Sequence, residues 1–258
     1  MSFVDVRLDD HVAVVTLNRP EALNAISGEV ADDLGGAVLQ AAARPDTWVV
    51  LLAAAGEKAF CVGADLKERN QLDDAGWMRN RTLMRSMFDS IRAVPQPTIA
   101  SVFGFALGGG FELALSCDLI VAAEDAVFGL PEATVGIVPG GGGTQLLARK
   151  IGLSRAKEFI FSGKRMTAAE AVGLGLAART VARPELDAAA MDLAREICRS
   201  SPVAVREAKQ AIDRGFGLPL DVGIELEDLA WRRNAASEDR REGIAAFNEK
   251  REPRWQGR

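Results

Sequence analysis

Two kinds of hydrophobic spacing alternate along this chain. Short apolar and β-branched runs predict strands at residues 3–6, 12–17, 48–53, 98–103, 119–123 and 180–182. Apolar residues at helical spacing predict helices at residues 27–44, 73–94, 146–151, 153–161 and 168–172. The first two strands flank Asp9 and Asp10 as a predicted β-hairpin. The order strand, strand, helix, strand predicts an α/β core made of repeated units.

Local signals support several helix ends. Ser27 is a predicted N-cap, and Thr167 with Glu170 fits a capping box. The helix at 73–94 carries an apolar stripe whose predicted role is packing: Met78, Leu83, Met87, Phe88 and Ile91. Beyond residue 184 the pattern is helical only, at 186–199, 202–214, 219–234 and 239–249. No linker rich in Pro, Gly or Ser separates this last part from the core.

Composition limits the classes of protein to consider. The 258 residues are 48% hydrophobic and 26% charged, which suits one large core with an appended subdomain. The net charge of -5 and the pI near 5.2 argue against a general nucleic-acid or membrane-surface binder. No run of some eighteen uncharged apolar residues is present, and the first residues do not resemble a targeting signal. We therefore expect no membrane partner and a cytoplasmic location.

Cysteine and histidine usage excludes two common kinds of site. Cys61, Cys117 and Cys198 show no Cys-x-x-Cys spacing and are interpreted as reduced thiols that fill the core. The single histidine, His11, has no partners for a usual zinc site. No Gly-x-Ser-x-Gly elbow supports a serine hydrolase. We expect no bound metal.

The most informative stretch contains glycines followed by carboxylates. Gly108 to Gly110 stand between a buried strand and a helix that carries Glu112, and a helix start offers free N–H groups to a negative charge. Glu112 and Glu132 both have apolar neighbours in the sequence. Either they are a dipole-favoured helix residue and an exposed turn residue, or they are a functional pair. Likewise, residues 63–65 can be a helix-entry turn capped by Asp65, and residues 140–143 either a flexible turn or a wall of a cleft.

Four segments carry a family resemblance: residues 17–25, 60–67, 106–114 and 138–145. Together and in this order they resemble the enoyl-CoA hydratase/isomerase (crotonase) family over nearly the whole chain. The resemblance implies an α/β fold, a spiral of repeated ββα units, for residues 1–197. It implies a C-terminal α-helical subdomain for residues 198–258, with trimerisation and coenzyme A contacts. It also implies a homotrimer or a dimer of trimers.

The resemblance assigns roles to particular residues. Glutamates at both positions matched by Glu112 and Glu132 imply syn addition of water to a 2-enoyl-CoA, which gives a 3-hydroxyacyl-CoA. We expect Glu112 to act as the base towards water and Glu132 as the proton donor to C2. The N–H groups of Ala64 and Gly109 are implied as an oxyanion hole for the thioester oxygen.

The implied substrate is an acyl-CoA thioester. The implied reaction needs no metal and no redox cofactor, and coenzyme A is part of the substrate. Its coenzyme A portion is expected beside these residues: Ala22, Ala64, Asp65, Leu66, Lys67, Phe247 and Lys250. Glu21 departs from the pattern, because some relatives have a lysine there near the phosphates.

Four alternatives stand beside this function. Residues 61–69 and the C-terminal segment look like methylglutaconyl-CoA hydratases of the AU-rich-RNA-binding type, which favours a branched or acidic enoyl group as the runner-up substrate. An isomerase of the same family is a further alternative. RNA binding is disfavoured, because residues 27–44 contain no lysine but include Glu29, Asp32 and Asp33. Retention of both glutamates and both glycine clusters argues against a scaffold without activity.

Overall fold

The computed structural model describes residues 3–258. The strands in this range are β1 (Val4–Asp9), β2 (Val12–Leu17), β3 (Val49–Ala54), β4 (Ala59–Cys61), β5 (Thr98–Val102), β6 (Phe105–Leu107), β7 (Leu119–Ala123), β8 (Val127–Gly129), β9 (Arg165–Thr167) and β10 (Arg179–Val181). The α-helices are α1 (Gly28–Ala42), α2 (Leu66–Arg69), α3 (Asp74–Ala93), α4 (Gly109–Ser116), α5 (Gly143–Ile151), α6 (Leu153–Ser162), α7 (Ala168–Gly173), α8 (Leu186–Cys198), α9 (Pro202–Gly215), α10 (Leu220–Ala235) and α11 (Glu238–Glu249). Short 3-10 helices occur at Pro20–Ala22, Pro131–Val135 and Arg183–Glu185.

The strands form two sheets. The larger has the order β1-β2-β3-β5-β7-β10, and the smaller has the order β4-β6-β8-β9. From β3 to β8, successive strands alternate between the two sheets, and helices follow each pair. Pairing is parallel except for the hairpin β1–β2 and the pair β8–β9. This alternation confirms the expected α/β spiral of ββα units.

The central strands of the larger sheet, β2, β3, β5 and β7, are buried on both faces. One face packs on α1, α3 and α4 through residues such as Val15, Leu52 and Ala100. The other face, with Leu51 and Ile99, packs on the apolar side of α8. Parallel strands covered on both faces need continuous apolar runs, which is why these strands show no alternation in the sequence.

The predicted helix ends are confirmed by side-chain caps. Ser27 Oγ accepts the Val30 N–H at 3.2 Å, and Thr167 forms a reciprocal capping box with Glu170. The apolar stripe of α3 is confirmed for Met87, Phe88 and Ile91 but is wrong for Met78 and Leu83, which are 64% and 39% exposed. Met78 lies nine residues before Met87, and 100° per residue places it on the opposite side of the helix.

The last three helices connect to the core through a few polar contacts. Lys209 Nζ of α9 donates to Asp118 Oδ2 at 2.7 Å and to the Gln96 carbonyl at 3.0 Å. Asp239, fully buried in α11, accepts from Ser201 Oγ at 3.0 Å and from the Gln256 N–H at 2.7 Å, which ties down the C-terminal tail. Because α8 packs on the larger sheet, we place the start of the C-terminal helical part after α8. This position is near the expected boundary between residues 197 and 198. The division into two domains stays a prediction.

Candidate active site

A cavity of about 430 Å³ opens where three parallel strands of the smaller sheet end. The chain leaves β4 into residues 62–66, β6 into residues 108–109, and β8 into residues 130–132. The carboxyl ends of neighbouring parallel strands lie at one edge of a sheet, so these loops meet there. Helix α3 and the loop at residues 135–141 complete the wall.

Two backbone N–H groups border this cavity. Ala64 and Gly109 both line it, and a Cβ added to Gly109 would lie 3.7 Å from Ala64 N, so their backbones are close together. Neither N–H donates a hydrogen bond to another residue of 3–258. The carbonyl of Gly63 and the N–H of Asp65 both bond to Ile26, which fixes the peptide of Ala64 between them. Two fixed, unoccupied donors can stabilise one oxygen on which negative charge develops.

Glycine is required at this junction because the loops touch backbone to backbone. Gly63 has φ +88, and a Cβ there would lie 2.8 Å from both Gly109 N and the Leu107 carbonyl oxygen. A Cβ on Gly110 would lie 1.9 Å from the Cys61 carbonyl oxygen. Any larger residue would push the two donor loops apart.

Glu112 projects from the first turn of α4 and is only 3% exposed. Its Oε1 accepts the Gly141 N–H at 2.7 Å and the Gly143 N–H at 2.8 Å. Burial raises the pKa of this carboxyl, and the hydrogen bonds from Gly143 and Gly141 oppose the rise. The glycine segment is therefore a wall of the cleft that holds Glu112, not merely a flexible turn.

Glu132 follows β8 in a 3-10 helix and is 8% exposed, so it is not the exposed turn residue of the alternative interpretation. Its Oε1 lies beside Gly108, and its Oε2 has no hydrogen-bond partner in the described part of the chain. Burial raises the pKa of Glu132 to about 7, and the negative charge of Glu112 adds to the rise. At neutral pH this group can therefore hold or release a proton.

The residues expected around coenzyme A are only partly brought together. Ala64 and Leu66 line the cavity. Lys67 is exposed in the first turn of α2, and Ala22 is half-buried outside the cavity. Phe247 and Lys250, both exposed at the end of α11, do not line it either. These coenzyme A contacts stay predictions.

Asp65 is engaged within the protein. Its Oδ2 accepts from Arg19 Nη1 at 2.8 Å, and its Oδ1 caps α2 by accepting the N–H groups of Lys67 and Glu68. Burial alone would raise the pKa of Asp65, but the bond from Arg19 and the backbone N–H groups hold it below its ordinary value. The carboxylate thus fixes the loop that presents Ala64.

The sequence pattern did not identify Arg69 of α2, or Trp77, Arg81 and Met84 of α3, as residues of the cavity. Arg69 lines it from α2, and Trp77, Arg81, Met84 and Phe88 line it from α3. The spacing of the α3 residues, four, three and four positions apart, marks one helix face and was the signal available. Arg69 Nε donates to Asn80 Oδ1 at 3.3 Å, and its guanidinium lies 5.0 Å from the Trp77 ring centroid.

Two other kinds of feature are absent from residues 3–258. No group of three or more His, Cys, Asp or Glu side chains in this range is arranged to hold a metal ion. No helix within it is long and apolar enough to cross a membrane.

Comparisons with known proteins point to one family. The family model described as enoyl-CoA hydratase/isomerase matches residues 7–258. A Bacillus subtilis (strain 168) protein, YngF, whose name refers to the same family, is 45% identical over 249 residues and 96% of each chain. The mitochondrial methylglutaconyl-CoA hydratase of Mus musculus is 41% identical over 95% of this chain and 80% of its own. The crystal structure of an enoyl-CoA hydratase from Bacillus anthracis superposes with a TM-score of 0.96 at 41% identity, covering 99% of this chain and 100% of that one. The chain belongs to the enoyl-CoA hydratase/isomerase family.

Proposed function

We propose that this protein is an enoyl-CoA hydratase that adds water syn across the 2,3 double bond of a 2-enoyl-CoA. The observation that carries the proposal is the contrast between two buried carboxylates in one cleft. Burial raises the pKa of both groups, but Glu112 accepts two N–H donors that oppose the rise, whereas Glu132 has a free oxygen and a pKa of about 7. Water addition needs one base and one acid, and these environments supply both.

In the proposed reaction the thioester oxygen accepts the N–H groups of Ala64 and Gly109. Glu112 removes a proton from water as the water oxygen bonds to C3. The electrons of the double bond move towards the thioester, and the enolate charge rests on its oxygen. Glu132 then donates a proton to C2. One proton enters Glu112 and one leaves Glu132, and exchange through bulk water or between the two groups restores the starting state.

Methylglutaconyl-CoA hydratase is the second candidate. The mouse relative of that name and the two arginines in the cavity, Arg69 and Arg81, favour an acidic acyl group. An enoyl-CoA isomerase is less well supported, because many family isomerases keep only one of the two glutamates and this cleft contains both.

The deciding experiment follows the ultraviolet absorbance of the conjugated thioester when protein is mixed with crotonyl-CoA, 3-methylglutaconyl-CoA or longer enoyl-CoAs. We expect rapid loss of absorbance and at least about a hundredfold lower kcat in Glu112→Gln and Glu132→Gln. Glu57→Gln is the matched control, since Glu57 is exposed and far from the cavity lining. Absence of hydration by folded protein that still binds coenzyme A would contradict the proposal.

The remaining expectations are part of the same proposal. We propose that catalysis needs no cofactor beyond the coenzyme A of the substrate, and that the enzyme acts in the cytoplasm. We also propose a homotrimer or a dimer of trimers, which is supported by large apolar side chains exposed on the last helices: Ile212, Phe216, Leu220, Ile224, Trp231 and Phe247. Sedimentation equilibrium tests the assembly, and a monomer at micromolar concentration would contradict it.

A further inference from the structure

The cavity contains an arginine that the proposed hydration does not use. Arg81 projects from α3 into the cavity and is half-buried. Its guanidinium forms no hydrogen bond and no ion pair with any of residues 3–258. A partly desolvated guanidinium without a partner is unfavourable, and its planar set of donors matches a carboxylate.

Arg81 packs against the loop that holds Glu112. A Cβ added to Gly140 would lie 3.6 Å from Arg81 Cζ, so the guanidinium rests against the loop whose next residue, Gly141, donates to Glu112. Its positive charge acts on Glu112 directly, where it lowers the carboxyl pKa. Arg81 and Glu112 therefore line the same cavity, with Arg81 against the loop that holds the Glu112 carboxylate.

The acyl chain would reach this point after only a few bonds. With the thioester oxygen at Ala64 and Gly109 and C3 at Glu112, the next acyl carbons have to contact other residues of the cavity lining. That lining includes Arg81, Met84 and Phe88. The two apolar side chains suit methylene groups, and the guanidinium suits an anion at their end.

The charges in the cavity also favour an anion. Its two arginines, Arg69 and Arg81, face two carboxylates. Arg69 is already engaged by Asn80 and by the Trp77 ring. With Glu132 partly protonated near neutral pH, the cleft holds more positive than negative charge.

We infer that Arg81 binds a second carboxylate at the acyl end of the substrate, and that the preferred substrate is a short 2-enoyl-CoA with a negatively charged acyl terminus. This inference rests on the proposed function for its kinetic test, but it also makes a prediction about binding that needs no turnover. It assigns Arg81 as the residue that sets specificity between acidic and apolar acyl groups.

The kinetic test uses two enoyl thioesters of similar shape. Glutaconyl-CoA ends in a carboxylate, and 5-methylhex-2-enoyl-CoA ends in an isopropyl group of similar size. The wild-type protein should show the higher kcat/KM with glutaconyl-CoA. Arg81→Met should lower the ratio of the two kcat/KM values by about 10- to 100-fold, the range for a charged hydrogen-bonded contact, mainly through KM. Arg81→Lys should retain part of the preference, because it keeps the charge but loses the paired donors.

Arg79→Met is the matched control, because Arg79 is exposed two positions away on the same helix and does not line the cavity. The ratio of the two kcat/KM values in Arg79→Met should equal the wild-type ratio. An equal loss for both thioesters in Arg81→Met would overturn the inference, because it would show an effect on Glu112 or on coenzyme A itself. Hydration of crotonyl-CoA without any preference for glutaconyl-CoA would also overturn it and leave the proposed function standing.

Binding affinities measured by calorimetry test the inference independently of the proposed function. Glutaryl-CoA and 5-methylhexanoyl-CoA are saturated and cannot be hydrated. Tighter binding of glutaryl-CoA that is lost in Arg81→Met supports the inference even if no enoyl-CoA is hydrated, in which case only the proposed reaction fails. Equal affinities of the wild-type protein for the two saturated thioesters would overturn the inference on binding grounds alone.

Discussion

Replacing Glu132 by glutamine should stabilise the fold in a pH-dependent way. Burial, together with the charge of Glu112, raises the pKa of Glu132 from 4.5 to about 7. The folded protein therefore keeps a proton that the unfolded chain releases in the intervening pH range. Its stability must fall as the pH rises from about 4.5 to about 7, and this loss is complete above pH 7. Glutamine, which does not ionise, removes this dependence.

The size of the effect follows from the difference in pKa. A tenfold change in proton affinity corresponds to about 1.4 kcal/mol, so a pKa of about 7 in place of 4.5 gives about 3.4 kcal/mol in full. Roughly 2.5 kcal/mol of this develops between pH 5 and pH 8. Other consequences of the substitution, such as the cost of burying an amide, do not vary with pH and cancel in the comparison.

The assay is urea unfolding of the wild type and Glu132→Gln at pH 5 and pH 8, at one protein concentration because assembly contributes to stability. From pH 5 to pH 8, the free energy of unfolding of the variant should rise by about 2.5 kcal/mol relative to that of the wild type. The variant should also lose hydratase activity. For Glu57→Gln, at an exposed position, the difference in free energy of unfolding from the wild type should be the same at pH 5 and pH 8. A difference between wild type and Glu132→Gln that stays constant from pH 5 to pH 8 would refute the argument that burial holds Glu132 protonated.

Three further outcomes test the site and the scaffold. The kcat/KM for hydration should fall about tenfold per pH unit above about pH 7, because the proton donor Glu132 is lost, and a profile flat to pH 9 would contradict that role. Gly63→Ala should lower kcat/KM by about 10² to 10³, because its Cβ would lie 2.8 Å from Gly109 N and displace an oxyanion donor; unchanged kinetics would rule out the two-donor arrangement. Arg19→Met should lower the free energy of unfolding in urea by about 3 kcal/mol, because it leaves the mostly buried Asp65 carboxylate without its cation, whereas Arg7→Met at an exposed pair should leave it unchanged within error.

The sequence determined the elements of this protein because their signals are local. Buried parallel strands need continuous apolar runs, and Ser27 and Thr167 cap helices through residues three positions away, so the strands of the larger sheet, most of the helices and these caps could be predicted from spacing alone. The smaller sheet was not predicted, because its strands β4, β6, β8 and β9 have three residues each, too few to show a hydrophobic period. The positions of the motif glycines could also be predicted from the sequence. Gly63 has a positive φ that few other residues adopt, and its place before Ala64 and Asp65 was visible in the chain.

The tertiary structure alone decided which of these groups act together. Residues 64, 109 and 132 are far apart in the sequence and meet only because β4, β6 and β8 are parallel neighbours that end at one edge. The face of α3 that lines the cavity, with Arg81, depends on how the helix packs, and the packing left Met78 exposed. The protonation of Glu132 depends on burial and on the charge of Glu112. Burial and charge proximity are sums over neighbours from the whole fold, so no local pattern in the sequence contains them.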